Sequence, residues 1–158
     1  MNILVLCTGN SARSILLESL LNHLGQGRVT AYSAGSQPAG RVHPQSLALL
    51  AAKGHDVAGF RSKSWDEFAA QGAPQMAAVI TVCGSAAGET CPIWPGAPLR
   101  AHWGVEDPAA ATPDQAPEAF AQAYAILQRR AEAFLAEDIS RMNDAQLSAH
   151  LTSCAALS

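Results

Sequence analysis

A cysteine and an arginine with five residues between them lie in the stretch of this chain best suited to chemistry, Cys7-Thr8-Gly9-Asn10-Ser11-Ala12-Arg13-Ser14. The apolar run Ile3–Leu6 precedes it, and leucines at helical spacing follow Arg13. The pattern therefore predicts a strand that enters a short polar loop and a helix that leaves it. We call residues 7–14 the oxyanion loop.

Such a loop is suited to binding a tetrahedral oxyanion. Successive backbone N–H groups can converge on one point, and the helix N-terminus adds unpaired donors and its positive dipole end. Arg13 adds a fork of donors. The same field favours a thiolate, so we expect the pKa of Cys7 to lie below its ordinary value of about 8.5. The candidate oxyanion-binding residues are Thr8, Gly9, Asn10, Ser11, Ala12, Arg13 and Ser14.

Two other interpretations of the loop fit less well. A buried cysteine at the end of a core strand is common, but Asn10, Ser11 and Arg13 are out of place in a core. A loop that cradles nucleoside triphosphates ends in Gly-Lys-Ser/Thr, and this one does not. We therefore interpret Cys7 as a nucleophile beneath a bound phosphate-like ion.

A second pair of cysteines, Cys83 and Cys91, brackets a segment rich in small residues. Zinc sites favour shorter Cys-x2–4-Cys spacing, so the spacing fits zinc poorly. It suits two thiols that close a disulfide when the flexible segment between them bends. The alternative is two unrelated cysteines, one in the core and one in a loop. We expect Cys154, near the end of the chain, to be inert.

Asp107, which precedes Pro108, is the candidate general acid. A carboxylic acid above the oxyanion could protonate a departing oxygen. An Asp before Pro also often begins a turn or caps a helix, and the sequence leaves both interpretations open. The adjacent Glu106 could compete for the acid role.

Length and composition restrict the class of protein. The chain has 158 residues, 49% of them hydrophobic, which suits one globular domain with a sizeable core. The net charge of −3 without a basic cluster disfavours nucleic acid and membrane surfaces as partners. No apolar run is long enough to span a bilayer, and the N-terminus lacks a signal-peptide pattern. We expect a cytoplasmic protein with reduced cysteines.

Strand and helix patterns alternate along the chain, which predicts an α/β fold. We expect a single parallel β-sheet of about four strands flanked by helices on both faces. The predicted strands are Ile3–Leu6, Val29–Ser33, Met76–Val82 and Leu99–Trp103, and the predicted helices are Arg13–Leu24, Pro44–Lys53, Trp65–Gln71 and Pro117–Ile139. Residues 84–98 are predicted to form a mobile loop. We assign residues 1–139 to the domain and 140–158 to a loosely docked tail.

Ligands in parallel sheets bind at the carboxyl ends of the strands. Cys7, Cys83 and the segment after Trp103 all follow predicted strands, so they can meet at one site.

Together these residues resemble a known family. The oxyanion loop, Tyr32-Ser33-Ala34-Gly35, Cys83 with Cys91-Pro92, and His102-Trp103-Gly104 through Asp107-Pro108 are similar to arsenate reductases built on the low-molecular-weight protein tyrosine phosphatase fold, which is flavodoxin-like. The resemblance covers residues 1 to about 135. The oxyanion loop alone would indicate only the phosphatase superfamily, whereas the Cys83/Cys91 pair and the His-Trp-Gly segment point to the reductases.

The resemblance implies a relay of three thiols that converts arsenate to arsenite in arsenic detoxification. Cys7 would attack arsenic, with Arg13 holding the oxyanion and Asp107 protonating the departing oxygen. Cys83 would then attack Cys7, and Cys91 would attack Cys83. An external thiol system would reduce the final disulfide: thioredoxin is the first expectation, with glutaredoxin or glutathione as alternatives. Phosphate and sulfate would compete with arsenate for the loop.

The resemblance implies no tightly bound cofactor but a possible potassium ion. The matching positions are Asn10, Glu18, Ser33 and Asp66, and ordinary hydrogen bonding is an equal alternative for them. The chain departs from many relatives in having Ala12 where they have a second cysteine. It also has seven residues between Cys83 and Cys91, where thioredoxin-coupled relatives have six.

Two other functions stay open at this point. Cys7, Arg13 and Asp107 would equally serve a phosphatase acting through a phosphocysteine, although the small residues Ala109–Ala111 suit a bare ion better than an aromatic ring. The other function is a redox sensor that binds an oxyanion without turnover. Such a binder has no need of an acid.

Overall fold

The computed structural model describes residues 1–84, 94 and 98–158. In that part of the chain, four parallel strands form one sheet in the order β2-β1-β3-β4. The strands are β1 (Asn2–Cys7), β2 (Thr30–Gly35), β3 (Ala78–Thr81) and β4 (Leu99–His102). The predicted α/β class and four-stranded parallel sheet are therefore confirmed, with strand ends within about two residues of those expected.

Five α-helices connect or follow the strands in the described residues. They are α1 (Arg13–Gly25), α2 (Pro44–Ala52), α3 (Asp66–Ala69), α4 (Ala116–Leu135) and α5 (Asp144–Ala155). Short 3-10 turns span Pro108–Ala110 and Ile139–Arg141. None of the helices in the described part of the chain has the length and apolar character to cross a membrane.

The two faces of the sheet are covered unequally. β1 is buried on both faces, as its unbroken apolar sequence requires. Ile3 and Val5 belong to the large core cluster with buried residues of α1, α2, α4 and α5. Leu4 and Leu6 belong to a smaller cluster that contains Phe68 of α3 and the buried Trp94.

The expectation of a loosely docked C-terminal tail is wrong. Residues 144–155 form helix α5, which begins with a capping box between Asn143 and Gln146. Leu147, Leu151 and Cys154 recur at helical spacing and are buried in the main core. Helix α5 is therefore amphipathic despite its many alanines and serines, and its apolar face packs against the main core.

The strand order reverses beside β1. The chain steps from β1 to β2 on one side of the sheet and then crosses to β3 on the other side. The carboxyl ends of β1 and β3 thus flank the switch point at which ligands bind in open parallel sheets. Cys7 is the last residue of β1, and Cys83 follows β3 by two residues.

Candidate active site

Carbonyl groups of the oxyanion loop point away from its centre. Thr8 accepts a hydrogen bond from the backbone of Gln37 at 3.0 Å, Gly9 from that of Ala39 at 2.9 Å, and Ser11 from that of His43 at 3.0 Å. In a trans peptide the C=O of one residue and the N–H of the next point in opposite directions. The following N–H groups are therefore directed toward the inside of the loop, as an oxyanion cradle requires.

Asn10 holds the shape of the loop from within. It is fully buried and has a left-handed backbone with φ of 48°. Its side-chain amide donates to Ser14 Oγ at 2.8 Å and to Ser33 Oγ at 2.9 Å, and Asn10 Oδ1 accepts from the Lys63 backbone at 3.0 Å. Asparagine tolerates the left-handed region better than most residues. Asn10 and Ser14 thus shape the loop through their side chains.

Gly35, at the end of β2, lets the loop approach the sheet. A Cβ at this position would collide with the carbonyl oxygen of Thr8. The Gly35 backbone donates to Lys63 at 2.9 Å and accepts from Trp65 at 3.0 Å. These two hydrogen bonds hold Lys63 and Trp65 beside the end of β2. The close approach of Thr8 to position 35 requires a glycine there.

Arg13, the first residue of α1, lies between the oxyanion loop and the segment after β4. Its Nη1 donates to the carbonyl of Val105 at 2.8 Å. Its Nε is buried and has no hydrogen-bond partner among the described residues. A buried donor without a partner carries a free-energy cost, which an oxyanion bound in the loop would remove.

The thiol of Cys83 lies against the thiol of Cys7, and both side chains are buried. A hydrogen bond between the two thiols and the burial of the site raise the pKa of Cys7, while the charge of Arg13 acts to lower it. The predicted lowering of the Cys7 pKa is therefore wrong for the structure with both thiols reduced, in which this pKa is raised. The sequence predicted that the two cysteines would meet, but not that their hydrogen bond and burial would raise the pKa of Cys7.

Cys83 is also held by the first residue after Cys7. Its sulfur lies 3.5 Å from the hydroxyl oxygen of Thr8. Cys7, Cys83 and Cys154 are not joined in a disulfide among the described residues. Cys154 is buried in the core around α5, and that burial raises its pKa. Cys91 lies outside the described residues, so its position relative to Cys83 stays a prediction.

Asp107 faces Arg13 from the segment after β4. We call residues 103–107 the acid loop. Asp107 Oδ2 lies 3.7 Å from Nη2 of Arg13, and Oδ1 accepts from the backbone of Ala109 at 3.0 Å. The side chain is about half exposed. Asp107 therefore caps the 3-10 turn and also faces the oxyanion loop, so the two interpretations left open by the sequence are compatible. Glu106 is exposed.

Only some of the proposed potassium ligands lie in contact with one another. Ser33 hydrogen-bonds to Glu18 and to Asn10, but Asp66 is exposed. Asn10 turns its amide nitrogen toward Ser33 and uses its oxygen for the Lys63 backbone. This arrangement fits a cation poorly, because it offers an N–H where a metal needs oxygen. Within the described ranges there is no cluster of three His, Cys, Asp or Glu suited to a metal either.

Lys63, which no sequence pattern indicated as a site residue, supplies positive charge beside Glu18. Burial raises the pKa of Glu18, and the positive charge of Lys63 opposes this rise. Lys63 is itself buried, and its Nζ donates to the Arg61 carbonyl at 3.2 Å. No local pattern marks this lysine, because its partners are distant in sequence.

The family model for low molecular weight phosphotyrosine protein phosphatase matches residues 2–146. The arsenate reductase of Halalkalibacterium halodurans is 37% identical over 106 residues, which is 67% of this chain and 73% of the relative. The glutaredoxin arsenate reductase of Synechocystis is 30% identical over 106 residues, covering 67% of this chain and 77% of that protein.

A solved structure of an arsenate reductase in the phosphate binding state superimposes on the chain with a TM-score of 0.70. It has 29% sequence identity and covers 85% of this chain and 96% of that one. The strand order, the oxyanion loop at the end of β1 and these similarities agree. The chain belongs to the low molecular weight phosphotyrosine protein phosphatase family, in which proteins similar to it are arsenate reductases.

Proposed function

We propose that this protein reduces arsenate to arsenite, with Cys7 as nucleophile and Cys83 as the second thiol. The observation that carries the proposal is the contact between the two thiols at the end of β1. Ester hydrolysis has no use for a second buried sulfur beside the nucleophile, whereas reduction of arsenic requires two thiols that can form a disulfide. The relatives named as arsenate reductases support the same choice.

The oxyanion loop and Arg13 would bind the arsenate. The inward-directed N–H groups after Thr8, Gly9 and Ser11 would bind its oxygens, and the buried Nε of Arg13 would gain the partner it lacks in the described structure. These donors are preorganised by contacts to the body of the protein, so little reorganisation accompanies binding. Phosphate and sulfate have the same tetrahedral shape and would compete.

In the first step, the Cys7 sulfur attacks arsenic and an arsenic–oxygen bond breaks. The departing hydroxyl takes a proton from Asp107 and leaves as water. The proton released by Cys7 passes to another oxygen of the bound arsenate, and Asp107 regains a proton from solvent. Because the pKa of Cys7 is raised in the thiol pair, this step needs an acceptor for the Cys7 proton. An oxygen of the bound arsenate is one such acceptor, which links nucleophile activation to substrate binding.

In the second step, Cys83 attacks the sulfur of Cys7. A disulfide forms between them, the sulfur–arsenic bond breaks, and its electron pair stays on arsenic, while the leaving arsenite takes the proton released by Cys83. Two thiols have then lost two electrons and arsenic has gained them. The attacking and attacked sulfurs are already in contact, so this exchange requires no large rearrangement.

We further propose that Cys91 attacks Cys83 and transfers the disulfide to the protein surface. Both sulfurs of the first disulfide derive from buried residues, so a reducing protein needs a third sulfur that it can reach. Thioredoxin is the reductant we expect. Glutaredoxin, which appears in the name of the Synechocystis relative, and glutathione are the alternatives. Such a protein would work in the cytoplasm, where thiols stay reduced, and would serve arsenic detoxification.

The experiment is a count of free thiols after one equivalent of arsenate. We expect the wild-type protein to lose two thiols and release one arsenite, while Cys83→Ser loses none irreversibly. Cys154→Ser is the matched control, because that buried cysteine lies away from the site, and it should again lose two thiols. If the wild type keeps all its thiols but releases phosphate from an aryl phosphate, the protein is a phosphatase. If it binds one arsenate and keeps its thiols, it is a sensor.

A further inference from the structure

The acid loop is held by the C-terminal end of the chain. Trp103, its first residue, is fully buried and donates from Nε1 to the carbonyl of Leu151 in α5 at 3.0 Å. The Trp103 ring packs edge-on against Phe134 of α4, with ring centroids 6.1 Å apart, and Phe134 stacks on His150 of α5. The start of the acid loop therefore rests on α5.

Arg130 of α4 connects the last residues of the chain to the acid loop. It is buried, its Nε donates to the carbonyl of Leu157 at 2.7 Å, and its Nη1 donates to the carbonyl of Gly104 at 3.1 Å. One guanidinium thus joins two segments that are distant in sequence. The planar fork of arginine can hold two carbonyls in fixed directions, which a lysine ammonium cannot do.

The contacts continue from Arg130 to the reacting groups. Gly104 is followed by Val105, whose N–H donates to Val82 at 3.1 Å and whose carbonyl accepts from Arg13 at 2.8 Å. Two residues later, Asp107 faces Arg13. Arg130 thus fixes Gly104, and Val82 and Arg13 fix Val105. Together these contacts determine the position of the backbone that carries Asp107.

We propose that Arg130 is a positioning residue for Asp107, and that the carbonyl of Leu157 holds Arg130 in the required orientation. The inference rests on the proposed function, in which Asp107 is the general acid. It adds a part of the chain that the family model does not include, since the match ends at residue 146. The C-terminal end thereby belongs to the catalytic apparatus without touching substrate.

The test compares Arg130→Met with Arg129→Met, both in the full-length chain. Arg129 donates to the Ser158 carbonyl at 2.8 Å and has no hydrogen bond to the acid loop among the described residues, so it is the matched control. We expect Arg130→Met to slow single-turnover arsenate reduction about 10- to 100-fold, a part of the effect of losing a general acid. The affinity for inorganic phosphate should change less than about threefold, because the oxyanion loop is untouched.

Two further measurements separate positioning from simple destabilisation. Hydrogen exchange at the amides of Trp103 and Val105 should speed up in Arg130→Met and stay unchanged in Arg129→Met. Arg130→Lys should recover only part of the rate, and its pH–rate profile should differ from the wild type on the limb that Asp107→Asn also changes. A chain lacking Leu157 and Ser158 should behave like Arg130→Met, which keeps the test available if that variant fails to fold.

The inference is overturned if Arg130→Met keeps the wild-type rate and exchange, or if Arg129→Met loses as much. It is also overturned if phosphate affinity falls together with the rate, because the damage would then extend to the oxyanion loop. Failure of the proposed function is separate: it shows as absence of thiol loss in the wild type, and the exchange measurement still reports whether Arg130 holds the acid loop.

Discussion

Nη2 of Arg13 lies 3.7 Å from Oδ2 of Asp107. The side chain that would hold the oxyanion therefore faces the carboxyl that would protonate its departing oxygen. Arg13 also binds the Val105 carbonyl through Nη1, so it connects the oxyanion loop to the acid loop directly. In the proposed mechanism, substrate binding and proton delivery would thus both depend on this one guanidinium.

Asp107→Asn should slow the chemical step by roughly 10²–10⁴-fold, because the amide keeps the shape of the side chain but cannot deliver a proton. The rate is measured as arsenite released in a single turnover. Glu106→Gln is the matched control, since Glu106 is the adjacent acid and is exposed. Its rate should equal that of the wild type, and a larger loss in Glu106→Gln would transfer the acid role to that residue.

Cys91→Ser should allow one turnover and then stop with a disulfide between Cys7 and Cys83. Peptide mapping under non-reducing conditions detects this bond. The expectation follows from the contact between the two thiols, which lets the bond form without Cys91. Continued cycling of Cys91→Ser with thioredoxin would show that the relay ends at Cys83.

Because of Lys63, we expect potassium ions to have no specific effect on the stability of the protein. The positive charge of Lys63 already opposes, in part, the effect of burial on Glu18, and the Asn10 oxygen that a cation would need accepts a hydrogen bond from the Lys63 backbone. We expect equal melting temperatures in potassium and sodium chloride at the same ionic strength. In Lys63→Met the buried carboxylate loses its positive neighbour, and the melting temperature should fall. A specific rise of the wild-type melting temperature in potassium would instead support the cation site.

His55 should make stability depend on pH. It is buried, with Nδ1 2.7 Å from Ser19 Oγ and Nε2 3.0 Å from the Tyr124 hydroxyl, and it stacks on His23. Burial, followed by the charge of His23, lowers its pKa from the ordinary 6.5. The unfolded chain therefore binds a proton at a higher pH than the folded chain, so stability declines as the pH falls below about 6.5.

The measurement is the melting temperature between pH 7.5 and 5.5. His55→Gln should show a smaller decline across this range than the wild type, because the group that titrates differently in the two states is gone. His23→Gln should show an intermediate decline, since it removes the neighbouring charge but not the burial. Parallel curves for all three proteins would assign the pH dependence to other groups.

Local patterns in the sequence predicted the elements that carry the site. The unbroken apolar run of β1, the leucines of α1 and the position of Cys7 between them gave the strand, the helix and the oxyanion loop. The parallel sheet followed from the alternation of elements, and the expected meeting of Cys7, Cys83 and the segment after β4 agrees with their contacts. Each of these predictions needed only neighbouring residues and one topological rule.

What the sequence did not predict depends on residues far apart in the chain. The raised pKa of Cys7 comes from a thiol 76 positions later and from burial. The charge beside Glu18 comes from Lys63, and the carbonyl of Leu157 engages Arg130 in α4. For α5 a local signal existed, in the capping box at Asn143 and the spacing of Leu147 and Leu151, but weak periodicity among small residues obscured it.

The burial of Cys7 and Cys83, at 5% and 3% exposed, has a consequence for selectivity among thiols in a cell. An attacking sulfur must line up with the bond it breaks, and a bulky peptide or protein cannot do so inside a cleft shaped for a four-oxygen ion. In the proposed relay the concealed sulfurs would thereby be insulated from the surrounding thiol pool, and oxidising equivalents would leave the protein by a route that its own chain provides.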